Sequence, residues 1–116
     1  MAEIPNRYRK FTEDYPLVAG AYESLGEAVQ KAGPLDEKTR AIVKLAISLG
    51  ARMEGAVHSH TRKALKSGLT PGEIRHAVML ALPTIGLPST MAGMNWVDDV
   101  LEAATNDKPS GAKEKS

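Results

Sequence analysis

The chain has 116 residues, 42% hydrophobic and 25% charged, with a formal net charge of +1. That describes a globular chain long enough for one domain with a modest core. Near-neutral charge gives no reason to expect nucleic acid or an anionic membrane as partner, and 4% aromatic content leaves no base-stacking platform. The sequence contains no cysteine, so disulfides, thiolate metal sites and a thiol redox cycle are excluded.

Residues 1–16, MAEIPNRYRKFTEDYP, hold no apolar run that would serve as a signal peptide or membrane span. A cytoplasmic location is the default expectation. From there the start and stop signals predict helices only, with no strand alternation. Pro16 suits the first turn of a helix through Leu17, Ala21, Leu25 and Val29, closed by Gly33-Pro34. Asp36 is placed to cap the next, from Glu37 to about Leu49, with Gly50 after it. Its apolar residues Ile42, Val43, Leu45, Ala46, Ile47 and Leu49 go most of the way round, which predicts a central, largely buried helix. Only a stripe of Arg40, Lys44 and Ser48 beside Ala41 breaks that pattern.

The following helix carries the most informative segment, MEGAVHSHTRKAL from Met53. At about 100° per residue, Met53, Ala56, Val57, His60 and Ala64 share one side, while Arg52, Ser59, Arg62, Lys63 and Lys66 take the rest. An imidazole in an apolar stripe needs a hydrogen-bond partner or serves a reaction. The helix ends near Gly68. Thr70-Pro-Gly-Glu73 then reads as a capping box with proline in the first turn. That helix carries Ile74, Ala77, Val78, Leu80 and Ala81 until Pro83 breaks it. Gly86-Leu-Pro88 restarts the chain into a last helix through Met91, Met94, Val97 and Leu101. From Thr105 to Ser116 the sequence is polar and expected to be disordered. The reading is an all-α domain of five to six helices over residues 1–104 with a tail at 105–116.

The run from Leu35, LDEKTRAIVKLAISLGARMEGAVHSHTRKALKSGLTPGEIRHAVMLALPTIGLPSTMAG, resembles the core of the carboxymuconolactone decarboxylase and AhpD-type superfamily. Lys38-Thr-Arg40, the run His60-Thr-Arg-Lys-Ala-Leu65, the junction Gly68-Leu-Thr-Pro-Gly-Glu-Ile74 and Gly86-Leu-Pro88 carry the likeness, which covers about residues 35 to 104. The resemblance implies an all-helical protomer assembling with itself as a homotrimer or hexamer. Peroxidase-type members carry C-x-x-C-x-x-x-H on this helix and a glutamate one helix earlier. Setting their histidine on His60 places Met53 and Ala56 at the cysteines and Ala41 at the glutamate. A thioether forms neither thiolate nor resolving disulfide, so thiol peroxidase chemistry is ruled out. The decarboxylase branch carries a glutamate four residues before the histidine, where this chain has Ala56; Glu54 lies about 200° away around the helix and does not substitute. What that branch implies is decarboxylation of a lactone acid, an acid/base group protonating the resulting dienolate, with no metal or organic cofactor.

His60 is the candidate acid/base, its ordinary pKa of about 6.5 lying near operating pH; the alternative is a core histidine bonded to a carbonyl. Arg40 and Arg52, and after them Lys44, are candidates to hold a substrate carboxylate. Glu54 and His58, four apart, form either a solvated helix pair or half of a metal site completed by His76 or another subunit. Thr84, Ser89 and Asn95, in a stretch rich in small residues, either line a pocket or sit where helices approach closely, and Met91, Met94 and Trp96 read as core or subunit interface. Three functions remain open: a cofactor-independent lyase for a small carboxylated or lactone metabolite, a non-catalytic scaffold or small-ligand binder, and a metal-dependent enzyme using Glu54, His58 and His76.

Overall fold

The computed structural model describes residues 6–106. All regular structure among them is α-helical, in seven helices, as expected for an AhpD-like domain. Residues up to Leu35 form one compact unit and those from Asp36 onward a second.

The first unit holds α1 (Asn6–Asp14) and α2 (Pro16–Gln30). Helix α1 was not anticipated. Its signal is aromatic: Tyr8, Phe11 and Tyr15 recur at helical spacing, with ring centroids 6.3 and 6.0 Å apart along the series. The Tyr8 hydroxyl donates to Glu23 Oε2 at 3.2 Å, joining α1 to α2. Pro16 stands in the first turn of α2 as predicted, although Leu17, Leu25 and Val29 of its apolar face are exposed.

The second unit holds α3 (Glu37–Gly50), α4 (Glu54–Lys66), α5 (Pro71–Met79), α6 (Leu82–Ile85) and α7 (Leu87–Asn106). Asp36 caps α3 by accepting from the Thr39 N–H at 2.8 Å. Thr70 and Glu73 form the predicted capping box, with reciprocal bonds of 2.8 and 3.1 Å. The break between α5 and α7 holds Pro83 in the first turn of the short α6. Helix α4 packs between α3 and α7, and α5 closes against α7 and α3. Leu45, Leu49, Val57, Ala64, Ile74, Val78, Val97 and Leu101 form the core; each large aliphatic side chain there contributes roughly 1.5–3 kcal/mol relative to an exposed one.

Two faces are turned from where the periodicity puts them. Helix α3 is not largely buried: Ile47 is 65% exposed and Val43 is also exposed, while Ser48 is 4% exposed. Burying Ser48 is tolerated because its hydroxyl donates to the Leu45 carbonyl at 2.8 Å. In α4 the buried stripe is Val57, Thr61 and Ala64, with Met53 55% exposed and His60 at the margin. Thr61 enters the core on the same terms as Ser48, donating to the Val57 carbonyl at 2.7 Å.

Helix ends differ too. Helix α3 runs through Gly50, and the residue that turns the chain is Arg52, at φ +59°. Its N–H bonds the Leu49 carbonyl while Met53 N–H bonds that of Ser48, each at 3.0 Å, which is the Schellman pattern. The same pattern ends α4, where Gly68 takes the left-handed position. Helix α7 retains Thr105 and Asn106, expected to be disordered; the rest of the expected tail, 107–116, lies outside the described residues. Among the described residues no helix is long and apolar enough to cross a membrane.

Candidate functional site

Because His60 sits at the edge of the buried stripe of α4, its ring is partly sheltered rather than sealed. Lys63 lies three residues on, close to the same side of the helix. Lys44 reaches the same region from α3. Burial, then the Lys63 charge, then the Lys44 charge hold the imidazole below its ordinary 6.5. The Lys63 ammonium is itself held below the usual lysine range by burial first, then by Lys44 and Arg62. Three basic groups from two helices therefore feel one another, and the neutral ring is the favoured form of His60. A region of one sign beside a partly dry wall attracts an anion. Arg40, partly buried, stands one turn before Lys44 on α3.

The opposite flank of α4 does something different. His58 precedes His60 by two residues, which turns its side chain by about 200°. There His58 Nε2 meets Asp99 Oδ2 of α7 at 3.0 Å. Glu54 joins them, so that one donor atom from each of Glu54, His58 and Asp99 lies within 4.8 Å of the others. His76, the third member suggested by the sequence, is exposed on α5 and outside this group.

Arg52 is separate again. It occupies the α3–α4 turn, and its Nη1 donates to Ser89 Oγ in the first turn of α7. The charge of Lys44 thus acts on His60, Glu54 stands beside His58, and Arg52 is tied to Ser89. Two further residues join these groups, Lys63 beside His60 and Asp99 beside His58. Lys63 is exposed on the charged circumference, and its spacing from His60 is the signal that links them; Asp99 comes from a distant helix, and no local pattern announces it. Ala41 and Ala56, where the resemblance implies glutamates, are both partly buried.

Residues 16–99 match the carboxymuconolactone decarboxylase family, a span reaching from the start of α2 to Asp99 in α7. The chain belongs to that family. This carboxymuconolactone decarboxylase family member is 31% identical over 88 residues, 72% of its own length, to the nitrosuccinic acid decarboxylase of Metarhizium robertsii. It is 29% identical over 63 residues, 54% of its length, to an uncharacterized protein of Haemophilus influenzae. The chain spans 61% and 56% of the lengths of those two relatives.

Proposed function

We propose that this carboxymuconolactone decarboxylase family member is a cofactor-independent lyase that removes CO2 from a small carboxylated or lactone-type acid. The feature that carries the reading is a partly buried His60 whose ring feels the positive charges of Lys63 on its own helix and Lys44 on α3. The two ammonium groups, with Arg40 one turn before Lys44 on α3, hold substrate carboxylates. The bond from the carboxyl carbon to its neighbour breaks, CO2 departs, and the electron pair stays on the remaining carbon, delocalised into an adjoining unsaturated group. A proton from the His60 ring replaces CO2 on that carbon, and solvent at the open side of the ring restores it. The substrate's negative charge offsets the lysines and favours the protonated ring in the complex. The 31% identity to a decarboxylase of a small nitro diacid is consistent with this class of substrate.

Self-association is part of the proposal. Val43 and Ile47 of α3, and Met79, Leu80, Leu87 and Met91 around the α5–α7 corner, are exposed apolar side chains of the kind that subunit contacts cover. Sedimentation velocity on the full chain reads the subunit number; a monomer at all concentrations refutes this part.

A second reading, a carboxylate binder that kept the fold without the chemistry, is favoured by Ala56 standing in place of a glutamate. One experiment separates the two. A thermal-shift screen of small mono- and dicarboxylic acids, nitrosuccinate included, is expected to find an acid that stabilises the wild type and not Lys44→Ala or Lys63→Ala. CO2 release from that acid is expected to vanish in His60→Gln while binding persists. Binding without CO2 release in the wild type supports the binder. No stabilising acid, or one indifferent to both lysines, overturns the site.

A further inference from the structure

On the face of α4 turned away from His60, we infer that Glu54, His58 and Asp99 form a divalent transition-metal site. The sequence supplies two of these donors by helical spacing, since Glu54 and His58 are four apart. The fold supplies the third, because α7 packs against α4 and brings Asp99 Oδ2 to 3.0 Å from His58 Nε2. All three donor atoms lie within 4.8 Å of one another. A first-row metal held tetrahedrally at about 2.0–2.2 Å sets its neighbouring donors roughly 3.3–3.6 Å apart. The His58–Asp99 separation of 3.0 Å lies within a few tenths of an ångström of that spacing, and Glu54 and Asp99 are exposed, so their carboxylates have room to adjust.

The donor set selects the class of ion. One imidazole and two carboxylates, with no thiolate, suit zinc and its borderline neighbours; magnesium and calcium prefer all-oxygen sites. Three protein donors leave coordination positions for water. The site binds through two helices, so an ion here fastens the first turn of α4 to α7. It works independently of the lyase reading, because His60 points about 160° away from His58. The composition differs from the sequence-based set by one member: Asp99 takes the place of His76.

The competing account is an ordinary ion pair, Asp99 with His58, beside a helical Glu–His pair that holds no ion. Calorimetric titration of the tag-free, chelator-stripped full chain with zinc chloride distinguishes them. The expected result is saturable binding of one zinc per chain in the micromolar range, weakened at least about tenfold in His58→Gln and in Asp99→Asn. His76→Ala is expected to bind as the wild type does. Zinc near the wild-type dissociation constant should raise the melting temperature of the wild type and raise that of Asp99→Asn clearly less, with circular dichroism confirming that each variant is folded. The site is refuted by the lack of saturable binding in the submillimolar range, by binding that survives both ligand substitutions, or by binding that depends on His76. These readouts involve no turnover, so they fail or succeed separately from the lyase proposal.

Discussion

A Cβ built on Gly93 would stand 2.3 Å from Cδ1 of Leu49 and 2.9 Å from its Cγ. Glycine at this point of α7 is what lets the helix lie directly on a core leucine of α3. Gly93→Ala is a test with two opposing contributions. Alanine in a helix interior gains up to about 1 kcal/mol in propensity, and overpacking a closed core costs about 1–3 kcal/mol. Since Leu49 is itself buried and must move, the expected net effect is a loss of up to roughly 2 kcal/mol. At Gly20, in the middle of α2, a Cβ meets nothing within 4 Å, so Gly20→Ala should stabilise by about 0.5–1 kcal/mol. Denaturant unfolding of the two variants checks the contrast. In a Leu49→Ala background the penalty at Gly93 should disappear, because the two residues share one space.

The charges around His60 make a separate prediction. In chelator-treated protein followed by NMR, Lys63→Met and Lys44→Met should each raise the imidazole pKa, with the larger rise for Lys63. Neither should bring it fully to 6.5, since burial is the leading cause of the depression. The sign for stability follows. The folded value lies below the unfolded one, so the unfolded chain binds the proton more readily. This contribution is complete above the unfolded value and is lost as pH falls through the folded one. His60→Gln should flatten that part of the melting profile. An unchanged pKa in both lysine variants would contradict the proximity on which the candidate site rests.

Acid weakens the fold through two helix starts as well. Asp36 is held below 3.8 chiefly by the Thr39 backbone N–H, and Glu73 below 4.5 chiefly by the Thr70 N–H. Both carboxylates stabilise the fold above their unfolded values, and that stabilisation drains away as pH falls through the lower, folded values. Melting temperature against pH should therefore steepen on the acid side of 4.5, and the double variant Asp36→Ala, Glu73→Ala should show a shallower acid limb. Parallel curves for wild type and double variant would mean that the caps are already lost at neutral pH.

Residues that act within their own helix were legible in the sequence, and those placed by packing were not. Asp36, Thr70, Glu73, Pro83 and Gly86 act on neighbours within a few positions, so their signals survive without a fold. The inward face of α3 was not readable in this way. Leu45 and Ile47 are chemically alike, and what buries one and exposes the other is the helix opposite. The buried hydroxyls of Ser48 and Thr61 compound the difficulty, because each satisfies itself on its own helix and then behaves as a small apolar residue. At the candidate site the same division holds: His60, Lys44, Glu54 and His58 were visible, Lys63 was visible only as part of the charged circumference, and Asp99 depends wholly on how α7 meets α4.

Arg52 offers the cleanest separation of backbone from side chain. It closes the Schellman turn of α3 at φ +59°, the place that Gly68 fills at φ +99° after α4. A residue with a Cβ gives up roughly 1–2 kcal/mol in that conformation. The Arg52 guanidinium offsets part of this by donating to Ser89 Oγ on α7. Arg52→Ala and Arg52→Gly both remove the side-chain bond, and they differ only in whether a Cβ stands in left-handed backbone. Arg52→Gly should therefore be the more stable of the two by about 1 kcal/mol. Ser89→Ala, which leaves the backbone strain and breaks the bond, should fall below the wild type by about 0.5–1.5 kcal/mol. It should also change nothing in an Arg52→Gly background, because the partner is already gone. Equal stability of the Ala and Gly variants would show that the turn relaxes to negative φ once the arginine is released, and that the bond to Ser89 creates the strain it was taken to offset.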